Sequence, residues 1–125
     1  MSKYIDGFLI PIAPEKLDAY KKLASLAAQV WKDNGALEYI EAVGDDLAGH
    51  APRVKPPAEL LGARPGETLV FAYIVYESRE HRDAVNAKVM ADPRMKEMCP
   101  DQNPDLEMPF EIPRMITGGF RVIVE

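Results

Sequence analysis

Thr68-Leu69-Val70-Phe71-Ala72-Tyr73-Ile74-Val75-Tyr76-Glu77 is the stretch on which the fold turns. A run this rich in β-branched and aromatic side chains, followed by the helix-capping Ser78, spells a strand. Its alternate positions do not separate by polarity. Val70, Ala72, Ile74 and Tyr76 are as apolar as Leu69, Phe71, Tyr73 and Val75. A sheet with helices on one face and water on the other alternates polar with apolar residues, so this strand predicts a sheet covered on both faces.

Reading outward, Ser78 opens a helix that runs to about Ala91, where Asp92-Pro93 interrupts it, and Arg94 to Met98 adds a further turn. Arg114 to Glu125 reads as a closing strand, with Gly118-Gly119 marking a bulge. On the other side, Ala36 to Asp45 alternates as a strand. Glu15 to Asn34 carries Leu17, Tyr20, Leu23, Ala24, Ala27, Val30 and Trp31 on one helical stripe, entered through Pro14 and ended by Gly35. Tyr4 to Ile12 is a first strand, apolar on both sides, with Asp6 near a strand end where solvent is expected. The order is β-α-β-β-α-β over residues 1–125 as one domain. That is an α+β, ferredoxin-like arrangement: a four-stranded antiparallel sheet with two helices on one face. No spare element covers the second face. The economical cover is the same face of a second copy, an isologous homodimer; a lone chain with a wet apolar face is the alternative.

Composition narrows the function. The chain has 125 residues, 47% hydrophobic and 28% charged, with a formal net charge of −5. A chain this long folds without metal or disulfide, and its single cysteine, Cys99, cannot form an internal bridge. No apolar run reaches the roughly 18 residues of a membrane span. The N-terminus lacks the layout of a signal peptide, which points to a cytoplasmic protein with no membrane partner. An acidic total without a basic run gives no footprint for nucleic acid. Nine of the 11 prolines fall in two excursions, residues 46–67 and 93–113. Glu97, Asp101, Asp105, Glu107 and Glu111 stand in 97–113 with no lysine or arginine, so this one acidic loop accounts for the whole net charge.

Several segments resemble the YbaA-like family of small uncharacterised bacterial proteins, a domain of unknown function. They are Tyr4 to Phe8, Val30-Trp31 with Gly35 to Tyr39, Tyr76 to Arg94, Arg114 to Ile116 and Gly118 to Phe120, and they span essentially the whole chain. The resemblance implies the dimeric α+β barrel superfamily, in which two ferredoxin-like sheets face each other. That superfamily includes cofactor-independent oxygenases, haem enzymes and isomerases, so the fold alone selects no activity.

The residues offer a few candidates for chemistry. His81 aligns with Val85, Lys88 and Val89 and is expected to face the sheet, either as a general base or as a core-edge histidine bonded to a strand carbonyl or a tyrosine. Tyr39 and Glu41 point to one side of their strand. A carboxylate there is costly to bury unless paired, whether as a base or in an ion pair with Arg82, Arg114 or Arg121. Trp31, Tyr39 and Tyr73 would line a cavity between sheet and helices, with Arg82 as the ligand-facing arginine. The mixed charges of Arg79 to Asp83 equally describe a solvated helix face. Asp45, Asp46 and His50 make a poor metal site, having no second histidine or cysteine nearby, so neither metal nor cofactor is expected. The expected function is a homodimer holding a small metabolite, oxygenase- or isomerase-like through His81 and Glu41. The alternative is a non-catalytic binding or interaction dimer.

Overall fold

A computed structural model describes residues 2–48 and 51–125. His50 lies outside them. β1 (Tyr4–Ile12) leads through a 3₁₀ turn at Pro14–Lys16 into α1 (Leu17–Asp33), then β2 (Glu38–Val43), a short α2 (Pro57–Leu61), β3 (Thr68–Tyr76), α3 (Arg79–Ala91) and β4 (Ile116–Arg121). The four strands form one antiparallel sheet in the order β2-β3-β1-β4, the ferredoxin-like arrangement. No helix among the described residues is long and apolar enough to cross a membrane.

Local signals account for the helix limits. Pro14 stands where a missing N–H costs nothing, and Gly35, at φ +114°, turns the chain out of α1 in a conformation that side chains disfavour. The Ser78 hydroxyl accepts the His81 main-chain N–H and caps α3. α2 was not expected inside the 46–67 excursion. It starts at a proline pair and stops at Gly62 in the left-handed conformation, a single turn too short to show periodicity.

β1 and β3 pair along nine residues, from Tyr4 opposite Tyr76 to Ile12 opposite Thr68. On one face, Ile10, Ile12, Val70, Ala72, Ile74 and Tyr76 are buried beneath α1 and α3, packed with Val30, Val85 and Val89. The other face has no helix over it. Leu69 and Val75 are buried there, but Phe71 (51% exposed), Ile116 (49%) and Phe120 (61%) stand out as an apolar surface.

Two expectations need correction. Gly118-Gly119 makes no bulge, because β4 pairs with β1 one for one, Gly118 opposite Gly7 and Gly119 opposite Asp6. Gly119 is small for another reason: a Cβ there would come within 2.7 Å of the Tyr4 ring. Asp6 is not solvated. It is buried, and its Oδ1 accepts from Arg82 Nη1 at 2.6 Å, while the guanidinium lies 4.8 Å above the centre of the Tyr4 ring. This pair ties α3 to the central strand.

Removing one partner of such a pair leaves a buried charge without a counterion, whereas replacing both with apolar groups does not. Arg82→Met is therefore expected to cost about 3 kcal/mol in urea unfolding, and adding Asp6→Leu to restore at least half of that loss. A double variant less stable than Arg82→Met would contradict this reading of the pair.

Candidate functional site

The helix-covered face of the sheet is not filled along its whole length. Between the sheet, α1 and the irregular segment from Met95 to Met115 lies a cavity of about 370 Å³, the scale of a small-molecule site. The sheet supplies its floor through Phe8, Ala72 and Ile74, α1 one wall, and the four methionines Met95, Met98, Met108 and Met115 much of the roof. Apolar side chains dominate; Asp101 stands exposed at the rim, and one partly buried acidic group is set among the apolar side chains.

That group is Glu41. Its register opposite Ala72 puts its side chain on the helix-covered face. Tyr20 donates to its Oε1 at 2.7 Å from α1, and Tyr39 donates to its Oε2 at 2.8 Å from two residues back on β2. Both oxygens therefore act as acceptors, the pattern of a carboxylate, and both phenols spend their protons on it. Burial first, then the charge of Glu41 and its hydrogen bonds, push the Tyr20 and Tyr39 hydroxyls well above the usual phenol range. The same three side chains also border a second groove, on the outer side between α1 and the edge of β2, with Asp18 and Lys21 at its margin.

Trp31, Tyr39 and Glu41 thus meet at one cavity. The Trp31 ring lies 6.2 Å from that of Tyr39, and its Nε1–H donates to Asn86 Oδ1 at 3.2 Å. The other expected residues lie elsewhere. Tyr73 stands on the opposite face, 6.1 Å from Phe71, because Tyr39 is in register with Ile74 rather than with Tyr73. His81 does not line the cavity. Its Nδ1 accepts the Glu77 main-chain N–H at 3.0 Å, and its ring meets Tyr76 edge-on at 6.0 Å. It closes the turn between β3 and α3, accepting an N–H where a strand carbonyl or a tyrosine was expected as the partner, with Tyr76 met only by ring contact. Arg82 is occupied by Asp6 and Asp83.

Glu41 takes none of the arginine partners considered for it. Arg114 instead binds Glu67 at 2.6 Å and Glu111 at 3.1 Å, and Arg64 binds Glu111 at 2.7 Å. This network clamps one proline-rich excursion to the other and holds the Glu67 carboxyl down at about 2. Among the described residues, no group of three or more histidine, cysteine or acidic side chains is placed to hold a metal. Tyr20 was missed as a site residue. Its signal was a hydroxyl on the buried stripe of α1, four residues before Ala24, which had to find a partner.

Comparison with known proteins places this chain in a family. The family model DUF1428, described as a protein of unknown function, matches residues 3–112. The chain is 40% identical over 123 residues to the uncharacterized protein YbaA of Escherichia coli strain K12, covering 98% of each, and equally to YbaA of Shigella flexneri. Among solved structures it resembles a dimeric ferredoxin-like protein from an uncultured marine organism. That match has a TM-score of 0.60 and 15% identity over 100% of this chain and 99% of the other.

Three of the five tyrosines, Tyr20, Tyr39 and Tyr76, are held above the ordinary phenol value, chiefly by burial. The unfolded chain releases these protons near pH 10 while the folded chain keeps them. Their contribution to stability is complete below about pH 10 and falls as pH rises past it. In an alkaline titration, these three phenols are expected to ionise only together with the loss of circular dichroism. Ionisation of all five before unfolding would contradict the hydrogen-bonded arrangement around Glu41.

Proposed function

The chain belongs to the DUF1428 family, and we propose that it works as a homodimer in which each protomer holds a small, largely apolar molecule in the cavity between sheet and helices. The observation that carries this reading is Glu41: a carboxylate bordering a largely apolar cavity, held there by two phenols. A side chain present only for packing gains nothing from a carboxylate at that position, where desolvation opposes it. An apolar pocket with a few convergent polar groups is the usual form of a small-molecule site. The reading is one of binding. A proton-transfer step in the manner of a cofactor-independent isomerase or oxygenase would draw on Glu41, since His81 lies outside the cavity.

The dimer is supported by the apolar surface of Phe71, Ile116 and Phe120, whose burial against a second copy removes it from water. The solved ferredoxin-like neighbour is itself described as dimeric.

Trp31 is the only tryptophan and borders the cavity, so its fluorescence reports occupancy. The uncharged probe N-phenyl-1-naphthylamine is expected to quench it saturably, at one molecule per protomer. Ala27→Leu, which fills the cavity from α1, should weaken that binding about tenfold or more. Quenching that never saturates, or that ignores the substitution, would remove the basis for a cavity site. For the assembly, light scattering during gel filtration should give twice the chain mass for the wild type and the single-chain mass for Phe71→Glu. A wild-type monomer at micromolar concentration would refute the homodimer.

A further inference from the structure

We infer that the molecule held in the cavity is a hydrophobic amine whose ammonium group sits against Glu41, and that carboxylates and phosphates are excluded. This rests on the reading of the cavity as a ligand site and names the chemical class it takes.

The first ground is the inventory of polar groups. None of the residues bordering the cavity is a lysine, arginine or histidine. The strong donors present are already committed: Tyr20 and Tyr39 to Glu41, and the Trp31 ring N–H to Asn86. What remains at this end of the cavity is acceptor capacity, on the two Glu41 oxygens and on the phenol oxygens beside them. A ligand group that only accepts finds no partner here, and a buried acceptor without a partner is penalised. A group that donates from several directions finds four oxygens. A primary ammonium has three N–H donors and a charge.

The second ground is the contrast between Glu41 and the other carboxylates at comparable depth. Asp6 is neutralised by Arg82, Asp92 by Arg94 and Glu67 by Arg114, at 2.6, 2.7 and 2.6 Å. Glu41 alone of these four has neutral partners, and among the described residues no cationic side chain forms an ion pair with it. Lys21 borders the outer groove but is exposed and shares that margin with Asp18. Phenols supply hydrogen bonds without supplying charge, so a partly buried carboxylate at the edge of a largely apolar cavity is left without a counterion among the described residues. An ammonium ligand completes the pattern found elsewhere in the molecule.

The third ground is the way in. Asp101 lies at the rim of the cavity, on the loop that also carries the exposed Glu97, Asp105 and Glu107 without a lysine or arginine. Lys16 and Lys22 border the same hollow as Glu97 and Glu107, which leaves Asp101 and Asp105 as the acids that favour cations over anions on approach. The body of the ligand meets aromatic faces at Trp31 and Tyr39 and the methionine roof, which accommodates varied apolar shapes.

The test uses three molecules sharing one apolar body: 4-phenylbutylamine, 4-phenylbutan-1-ol and 4-phenylbutyrate. Each is titrated at pH 7 against the full chain, with Trp31 quenching and displacement of N-phenyl-1-naphthylamine as readouts. The amine is expected to bind about tenfold tighter than the alcohol, as a charge-assisted hydrogen bond exceeds a neutral one, and the acid more weakly than either. Glu41→Gln keeps the shape but removes the charge, and should bring amine and alcohol within about twofold of each other. The wild-type ranking stands by itself should the variant fold poorly. If the neutral probe binds but the alcohol or acid matches the amine, this inference falls and the cavity site stands. If the neutral probe does not bind, both fall.

Discussion

β1 and β3 pair along nine residues at the centre of the sheet, and both sides of that pair are apolar. Every other part of the molecule answers to this. The helices can cover one side only, because the βαββαβ order sends both crossovers to the same face. Beneath them Ile10, Ile12, Ile74 and Tyr76 are buried with Val30, Val85 and Val89. Above the other side Phe71 and Phe120 remain exposed. One strand pair therefore generates two surfaces with different uses: a floor for the core and its cavity, and a face that a second copy is proposed to cover.

The covered side carries two acids, on strands separated by β3, handled in opposite ways. Asp6 is stabilised by Arg82 from α3, a closed electrostatic contact between sheet and helix. Glu41, two strands away, receives phenol protons from Tyr20 and Tyr39 and borders open volume. The difference follows from what stands overhead. α3 and its arginine lie over one end of the sheet, while at the other the cover is the irregular Met95–Met115 segment, which packs without filling. That segment is itself held by arginines, since Arg114 and Arg64 tie Glu111 to Glu67 across the two proline-rich excursions. The cavity is thus an opening with a braced rim.

The strands, the two long helices and their caps were legible in the residues because each has a local cause: the β-branched run at 68–77, the stripe from Leu17 to Trp31, Ser78, Gly35. The two-sided character of β3 was legible for the same reason. Which residues share a face across strands was not. The connection from β2 to β3 is too long to set their register, so nothing local showed that Tyr39 faces the same way as Ile74 and away from Tyr73. Trp31, Tyr39 and Glu41 are legible in the sequence as candidates, yet Tyr20, which completes their arrangement, reads there only as a stripe residue. His81 reads in the sequence as a sheet-facing residue, but its place in the first turn of α3 spends it, half-buried, on the Glu77 N–H. A cavity between sheet and helices is legible in Trp31, Tyr39 and Glu41, but its roof is not, because that roof is irregular chain held by the arginine clamp.

The central claim is that the open face of the β1–β3 pair is covered in solution by its own copy, leaving the opposite side to the cavity. It is tested most directly by methyl nuclear magnetic resonance with a soluble paramagnetic agent. Ile116 lies on that face and is 49% exposed in the single chain, and Ile5 borders the same hollow; Ile123, at 81%, serves as the solvated reference. The account predicts that the Ile5 and Ile116 methyls are shielded from the agent while Ile123 is strongly relaxed, and that Phe71→Glu abolishes the shielding. Relaxation of Ile116 in the wild type in proportion to its single-chain exposure would contradict it.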